Sequence, residues 1–131
     1  MAAGSAAGKS AAPAAVYELA YAPHTWLFPQ VSVVVHHGGV GTTTAALKAG
    51  RTSVIVPFNF DQPFWGEIIY RRGLGPKPLP RRDLTPARLA RLIEQALENP
   101  LMRRNALETG QQICQEHGLE TAVAFIQNYF S

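Results

Sequence analysis

Residues 31–44 read VSVVVHHGGVGTTT. The β-branched run over 31–35 predicts a buried strand of a parallel sheet, since a strand covered on both faces does not alternate with polar residues. The run breaks at His36-His37-Gly38-Gly39-Val40-Gly41, and Thr42, Thr43 and Thr44 lead into an alanine-rich helix over 42–49. Strand, glycine turn and helix start in that order make an anion site. Glycines let the backbone approach a ligand closely, and the free N–H groups of the first helical turn point at it. Thr42 and Thr43 add hydroxyl donors, and His37 adds a ring N–H. A phosphate or pyrophosphate is the expected guest. His36 points to the other side if the strand continues, and reads as a structural or supporting residue.

Downstream, Gly50 suits the position after a helix end. Residues 53–56 form the next β-branched strand, ended by Pro57, and 58–62 a loop at its carboxyl end. Ligands of open α/β sheets bind at such strand ends, so this loop should face the same crevice as the glycine turn. It carries Asp61-Gln62, an acceptor beside a group that donates and accepts, a pair suited to sugar hydroxyls. The plainer reading makes Asp61 the cap of a helix from Pro63 to about residue 72. Trp65 is a candidate to line a ligand site, but a core aromatic of that helix is the commoner case. Gly73-Leu74-Gly75-Pro76 stops the helix, and a short edge strand is expected over 74–77. Thr85-Pro86 and Asn99-Pro100 each pair a capping residue with a proline at the first helical position. Leu89, Leu92, Ile93, Ala96 and Leu97 give the first of these helices an apolar face. The second runs through Met102, Ala106 and Ile113, with Cys114 on its apolar side, to a break at Gly118. A last helix over 119–130 carries Val123, Phe125, Ile126, Tyr129 and Phe130.

Upstream of the motif, 16–20 predicts a short strand, Tyr21-Ala22-Pro23-His24 a turn, and 25–28 a helical turn with three large apolar side chains. Residues 1–15, MAAGSAAGKSAAPAA, are low in complexity and read as a disordered leader. GSAAGKS within them is no P-loop: three residues separate Gly4 from Gly8 where the motif needs four, and no strand precedes it. The whole order predicts an α/β fold: half of a doubly wound sheet, three or four parallel strands flanked by helices, with a helical tail.

Composition narrows the partners. The 131 residues suffice for one domain with a real core, and 47% hydrophobic with 16% charged residues suits a globular α/β unit. The net charge of +3 suits an anionic ligand, but the arginines at 71, 72, 81 and 82 form no nucleic-acid stripe. A single cysteine excludes an internal disulfide framework and a cysteine metal site. No apolar run reaches membrane-spanning length and no signal peptide is evident, so a cytoplasmic location is expected.

HHGGVGTT, the preceding APHTWLFPQ and the following LKAG and SVIVPFNFDQPFWG closely resemble nucleotide-sugar glycosyltransferases of the GT-B fold, above all sterol glucosyltransferases and bacterial macrolide and glycopeptide glycosyltransferases. The resemblance covers residues 20–130 and implies the C-terminal, donor-binding domain over 16–131. It implies that His37, Thr42 and Thr43 with the Gly39 and Gly41 backbone hold the donor diphosphate. It also implies that Asp61 and Gln62 bind the sugar, and that Tyr21, Pro23 and His24 lie against the nucleoside. It implies UDP-glucose as donor and a lipid, sterol or other small hydroxylated acceptor, which would bring the protein to a membrane periphery. No metal or other cofactor is implied. Three departures stand out. Ala45 occupies the place where plant relatives put a glutamate on the ribose, Arg51-Thr52 replace an aliphatic residue and proline, and Phe60 replaces a glycine before Asp61. The general base belongs to an N-terminal acceptor domain, which nothing before Val16 forms, so no catalytic residue is expected in this chain. The chain reads as a fragment, isoform or subunit that supplies the leaving-group half of an inverting transfer. A non-catalytic nucleotide-sugar-binding or interaction module needing a partner chain is the alternative. A dinucleotide-binding oxidoreductase fits poorly, because the GxGxxG spacing and the acidic residue after the next strand are lacking.

Overall fold

The computed structural model describes residues 15–130. The expected leader, apart from Ala15, lies outside them. From the amino end come α1 (His24–Leu27) and a 3-10 turn (Phe28–Gln30), then β1 (Val33–His36), α2 (Val40–Lys48), β2 (Thr52–Ile55) and α3 (Gln62–Arg71). A second 3-10 turn (Arg81–Asp83) precedes α4 (Pro86–Glu98), α5 (Pro100–Cys114) and α6 (Gly118–Tyr129).

β1 and β2 are parallel and in register from Val33 opposite Thr52 to His36 opposite Ile55. The Val56 N–H, donating to the His36 carbonyl at 2.8 Å, extends the ladder. Alternation along the strands sends neighbours to opposite faces. Val34 joins Phe28 of the 3-10 turn and Ala46 of α2, while Val33 packs with Val54 against Leu89, Leu92, Ile93 and Ala96 of α4 and Met102 of α5. Ile55 meets Ile69, Leu74, Ala106 and Leu47, which closes α3 and α5 onto the sheet. Helices therefore cover both faces, and a β-branched run without alternation follows. Val35 is the exception and stays exposed.

The sheet has two strands among the described residues, not the three or four expected. Residues 74–79 do run beside β2, with Ser53 N donating to Leu74 O at 3.2 Å and Leu79 N to Ile55 O at 3.0 Å. No strand forms because Pro76, Pro78 and Pro80 lack the N–H groups a ladder needs. Residues 16–20 find no strand to pair with and are irregular and exposed. Of the three large apolar side chains of that helical turn only Phe28 is buried; Trp26 is exposed. Cys114, expected to pack, is exposed as well, its Sγ 3.6 Å from the Lys48 carbonyl. Arg51 acts as a clamp within the fold. Its guanidinium donates to the Phe28 carbonyl at 3.2 Å and to the Pro29 carbonyl, and so ties the turn before β1 to the connection after α2.

The caps expected at Thr85 and Asn99 form. Thr85 Oγ1 accepts from Arg88 N at 3.2 Å, and Asn99 Oδ1 from Met102 N at 3.0 Å. The last interhelical break lies over 115–117, and Gly118 opens α6 rather than ending α5.

Candidate functional site

β1 ends at His36, and the chain must reverse within three residues to start α2 at Val40. Gly38 makes this possible with φ +91°, a conformation side-chain-bearing residues rarely adopt. A Cβ there would lie 2.8 Å from Ile55 Cγ2 and 3.2 Å from the Gln62 carbonyl oxygen. The glycine turn is thus pressed against the start of α3, and the two regions marked out in the sequence converge on the carboxyl edge of the sheet.

His36 braces the turn. Its Nδ1 accepts from Gly38 N at 3.1 Å, so Nε2 carries the proton and donates to Ser53 Oγ at 3.1 Å. Burial lowers its pKa to about 4, and the nearby His37 and His24 add to the shift. The ring is a strut, as the sequence predicts, and the structure makes it a neutral one. His37 is exposed, and its ring covers Gly39: a Cβ on that glycine would sit 2.5 Å from His37 Nε2.

In α2 the first helical bond runs from Thr43 N to Gly39 O at 2.9 Å. The N–H groups of Val40, Gly41 and Thr42 precede it and have no intrahelical acceptor, so the positive end of the helix dipole faces out beside His37. Thr42 is half-buried at this end. Thr43 departs from expectation: it is 2% exposed and its hydroxyl, unpartnered among the described residues, is turned into the interior. A Cβ on Gly41 would meet nothing within 4 Å.

A pocket of about 340 Å³ adjoins this helix end, lined by His24, Thr25, Pro29, Gly41, Thr44, Ala45, Lys48 and Ala49. His24 is held there by stacking on Phe28, with ring centroids 4.4 Å apart. Tyr21 and Pro23 are exposed and do not line it. Sequence reasoning passed over Thr44 and Lys48, although the spacing 41, 44, 45, 48 is one face of a helix and shows them once Gly41 is placed.

Asp61 and Gln62 stand at the start of α3. Asp61 does not cap the helix with its side chain; Oδ2 accepts from Trp65 Nε1 at 2.9 Å and Oδ1 has no partner among the described residues. Trp65 is accordingly half-buried and polar-anchored, not a core aromatic. Gln62 Oε1 accepts from Phe58 N at 2.9 Å and Asn59 N at 3.3 Å, and its Nε2 donates to Asn59 Oδ1 at 3.5 Å, which leaves one amide N–H as a donor. Phe60, in the same loop, has φ +55°. That left-handed conformation costs a residue with a Cβ about 1–2 kcal/mol. Among the described residues no three His, Cys, Asp or Glu side chains gather into a metal-binding group, and no helix is long and apolar enough to cross a membrane.

Comparison with known proteins gives concordant results. The family described as erythromycin biosynthesis protein CIII-like, C-terminal domain, matches residues 1–122. Sterol 3-beta-glucosyltransferase UGT80B1 of Arabidopsis thaliana is 45% identical over 111 residues, which cover 85% of this chain and 18% of that protein. O-mycaminosyltylonolide 6-deoxyallosyltransferase of Streptomyces fradiae is 34% identical over 121 residues, 92% of this chain and 29% of that one. Among solved structures, glycosyltransferase VinC in complex with dTDP superposes with a TM-score of 0.78 at 28% identity, over 88% of this chain and 29% of that one. The glycosyltransferase of kitacinnamycin shares the fold with a TM-score of 0.76 at 22% identity, over 88% of this chain and 32% of that one. The neighbours are glycosyltransferases of the GT-B fold. The chain spans less than a fifth of the length of the first sterol glucosyltransferases it matches.

Proposed function

The chain belongs to the erythromycin biosynthesis protein CIII-like C-terminal domain family, and on that premise we propose that it binds the nucleoside diphosphate of a sugar donor, UDP-glucose first, as the donor half of an inverting glycosyltransferase. One observation carries this reading: the three leftover N–H groups at Val40, Gly41 and Thr42 open beside the exposed ring of His37 and next to a pocket holding His24. The diphosphate lies across the Gly39–Thr42 backbone with His37 donating to a phosphate oxygen. Thr43 is left out of this grip, because its hydroxyl points inward. The nucleoside enters the pocket between His24 and α2. The sugar reaches Asp61 Oδ1 and the Gln62 amide. VinC, 28% identical, was solved with dTDP, which supports a nucleoside diphosphate as the guest class.

In the transfer, an acceptor hydroxyl attacks the anomeric carbon while a general base on an acceptor-binding domain takes its proton. The bond from that carbon to the diphosphate oxygen breaks, and the charge developing on the leaving group meets the α2 N-terminus and His37. These donors hold the diphosphate without a metal ion. The acceptor is a sterol, another lipid or a small hydroxylated molecule, met in the cytoplasm or at a membrane surface.

Calorimetry with UDP-glucose and dTDP tests the reading: the intact chain should bind, and His37→Ala should weaken binding about tenfold or more. Absence of binding, or equal binding by the variant, would count against it. The exposed apolar side of α6 favours a second reading, an interaction module that binds the donor and needs a partner chain. Turnover on addition of an acceptor domain separates the two.

A further inference from the structure

The loop over 57–61 holds one strained residue, and its neighbours are all tied down. Gln62 Oε1 accepts from the Phe58 and Asn59 N–H groups, Gln62 N donates to Asn59 O at 3.3 Å, and Arg81 N donates to the Pro57 carbonyl at 3.4 Å. The flanking aromatics have partners within the chain. The Arg81 guanidinium lies over the Phe58 ring at 4.8 Å, and Phe64 meets Trp65 edge-on at 5.4 Å. Among the described residues Phe60, unlike Phe58 and Phe64, has no ring or cation stacked on it; it is 90% exposed and held at φ +55°. A glycine would relax that backbone, and nothing in the interior rewards the ring. A side chain kept under strain in a loop pressed against the glycine turn at the carboxyl edge of the sheet is a sign of a ligand contact.

We propose that Phe60 is a specificity-determining residue that lays its ring against the apolar C–H face of the donor sugar. Resting on the donor-binding reading above, it adds a recognition element to the hexose end. A pyranose ring offers hydroxyls around its edge and a patch of C–H bonds on its face. Here the exposed ring of Phe60 is followed directly in the chain by Asp61, whose Oδ1 has no partner among the described residues, and by Gln62, whose amide keeps one N–H beyond its 3.5 Å bond to Asn59 Oδ1, which is the complementary set. A diphosphate gains nothing from such a ring, so the contact distinguishes the sugar nucleotide from the bare nucleotide.

The test is calorimetry of the intact chain with UDP-glucose and with UDP, for the wild type, Phe60→Ala, Phe60→Trp and Phe60→Gly. The wild type should bind UDP-glucose more tightly than UDP. Phe60→Ala and Phe60→Gly should each lose about five- to tenfold in affinity for UDP-glucose and keep that for UDP, while Phe60→Trp retains both. Phe60→Gly should also melt at a higher temperature without ligand, which shows that the lost affinity is no folding defect. Wild-type affinity of Phe60→Ala for UDP-glucose, or equal losses for both ligands, would overturn the proposal. If the wild type binds neither UDP nor UDP-glucose, the donor-binding reading itself falls and this inference with it.

Discussion

His36 and His37 are neighbours with opposite surroundings, and their roles divide accordingly. Protonating His36 would put a hydrogen on Nδ1 against the Gly38 N–H that it now accepts, and would place a charge in a buried site. Its folded pKa of about 4 lies below the unfolded value of 6.5, so the unfolded chain binds more protons between those values. The stabilisation it gives is complete above pH 6.5 and is lost as pH falls toward 4, a change of order 2–3 kcal/mol. Urea unfolding across that window should show the loss. His36→Asn, whose side-chain oxygen can still accept from Gly38, should show about one proton less of pH dependence there. At Gly41 the expectation separates folding from binding. Gly41→Ala meets no atom within 4 Å and should leave the melting temperature unchanged or slightly raised, by about 0.5 kcal/mol in stability. The same methyl group projects at the pocket and the helix N-terminus and should weaken UDP-glucose binding, read by calorimetry.

At the scale of elements, a capping residue directly before a proline was the reliable signal, while Asp61, one residue further from Pro63, makes no side-chain cap. Thr85-Pro86 and Asn99-Pro100 start α4 and α5 where their chemistry requires, because a side-chain oxygen satisfies an N–H that the helix cannot. Asn99→Ala should destabilise by about 1–2 kcal/mol in thermal or urea unfolding, since Met102 and Ala106 in the first turns of α5 are core residues. Thr85→Ala should cost about 1 kcal/mol at most, because the start of α4 is exposed. The expected edge strand over 74–77 failed for a reason present in the residues themselves. Pro76 within it and Pro78 and Pro80 just beyond remove ladder donors, although the backbone still lies close enough to β2 for two bonds.

In the whole molecule α6 stands apart. It contributes no buried residue, and Phe125, Ile126, Tyr129 and Phe130 are all more than half exposed. An apolar surface of this kind is expected of an interaction face. Replacing Phe125 and Phe130 by serine should change unfolding free energy by less than about 0.5 kcal/mol each, while reducing binding of a hydrophobic dye. A large loss of stability would mean that α6 is part of the core after all.

The strand–turn–helix unit, the caps at Thr85 and Asn99, the supporting role of His36 and the family were legible in the sequence. Each rests on short-range chemistry: β-branched runs, glycines where φ turns positive, side-chain oxygens before prolines. Other features rested on contacts between segments far apart in the chain. Only the tertiary structure showed that Gly38 abuts Gln62, that Thr43 turns inward, that Arg51 clamps the turn before β1, and that residues 16–20 have no strand to join. It also showed that Gln62 spends its oxygen on its own loop and that Phe60 is held in a strained conformation with its ring exposed. The direction a side chain faces is set by what packs against it, and those neighbours are chosen by the fold.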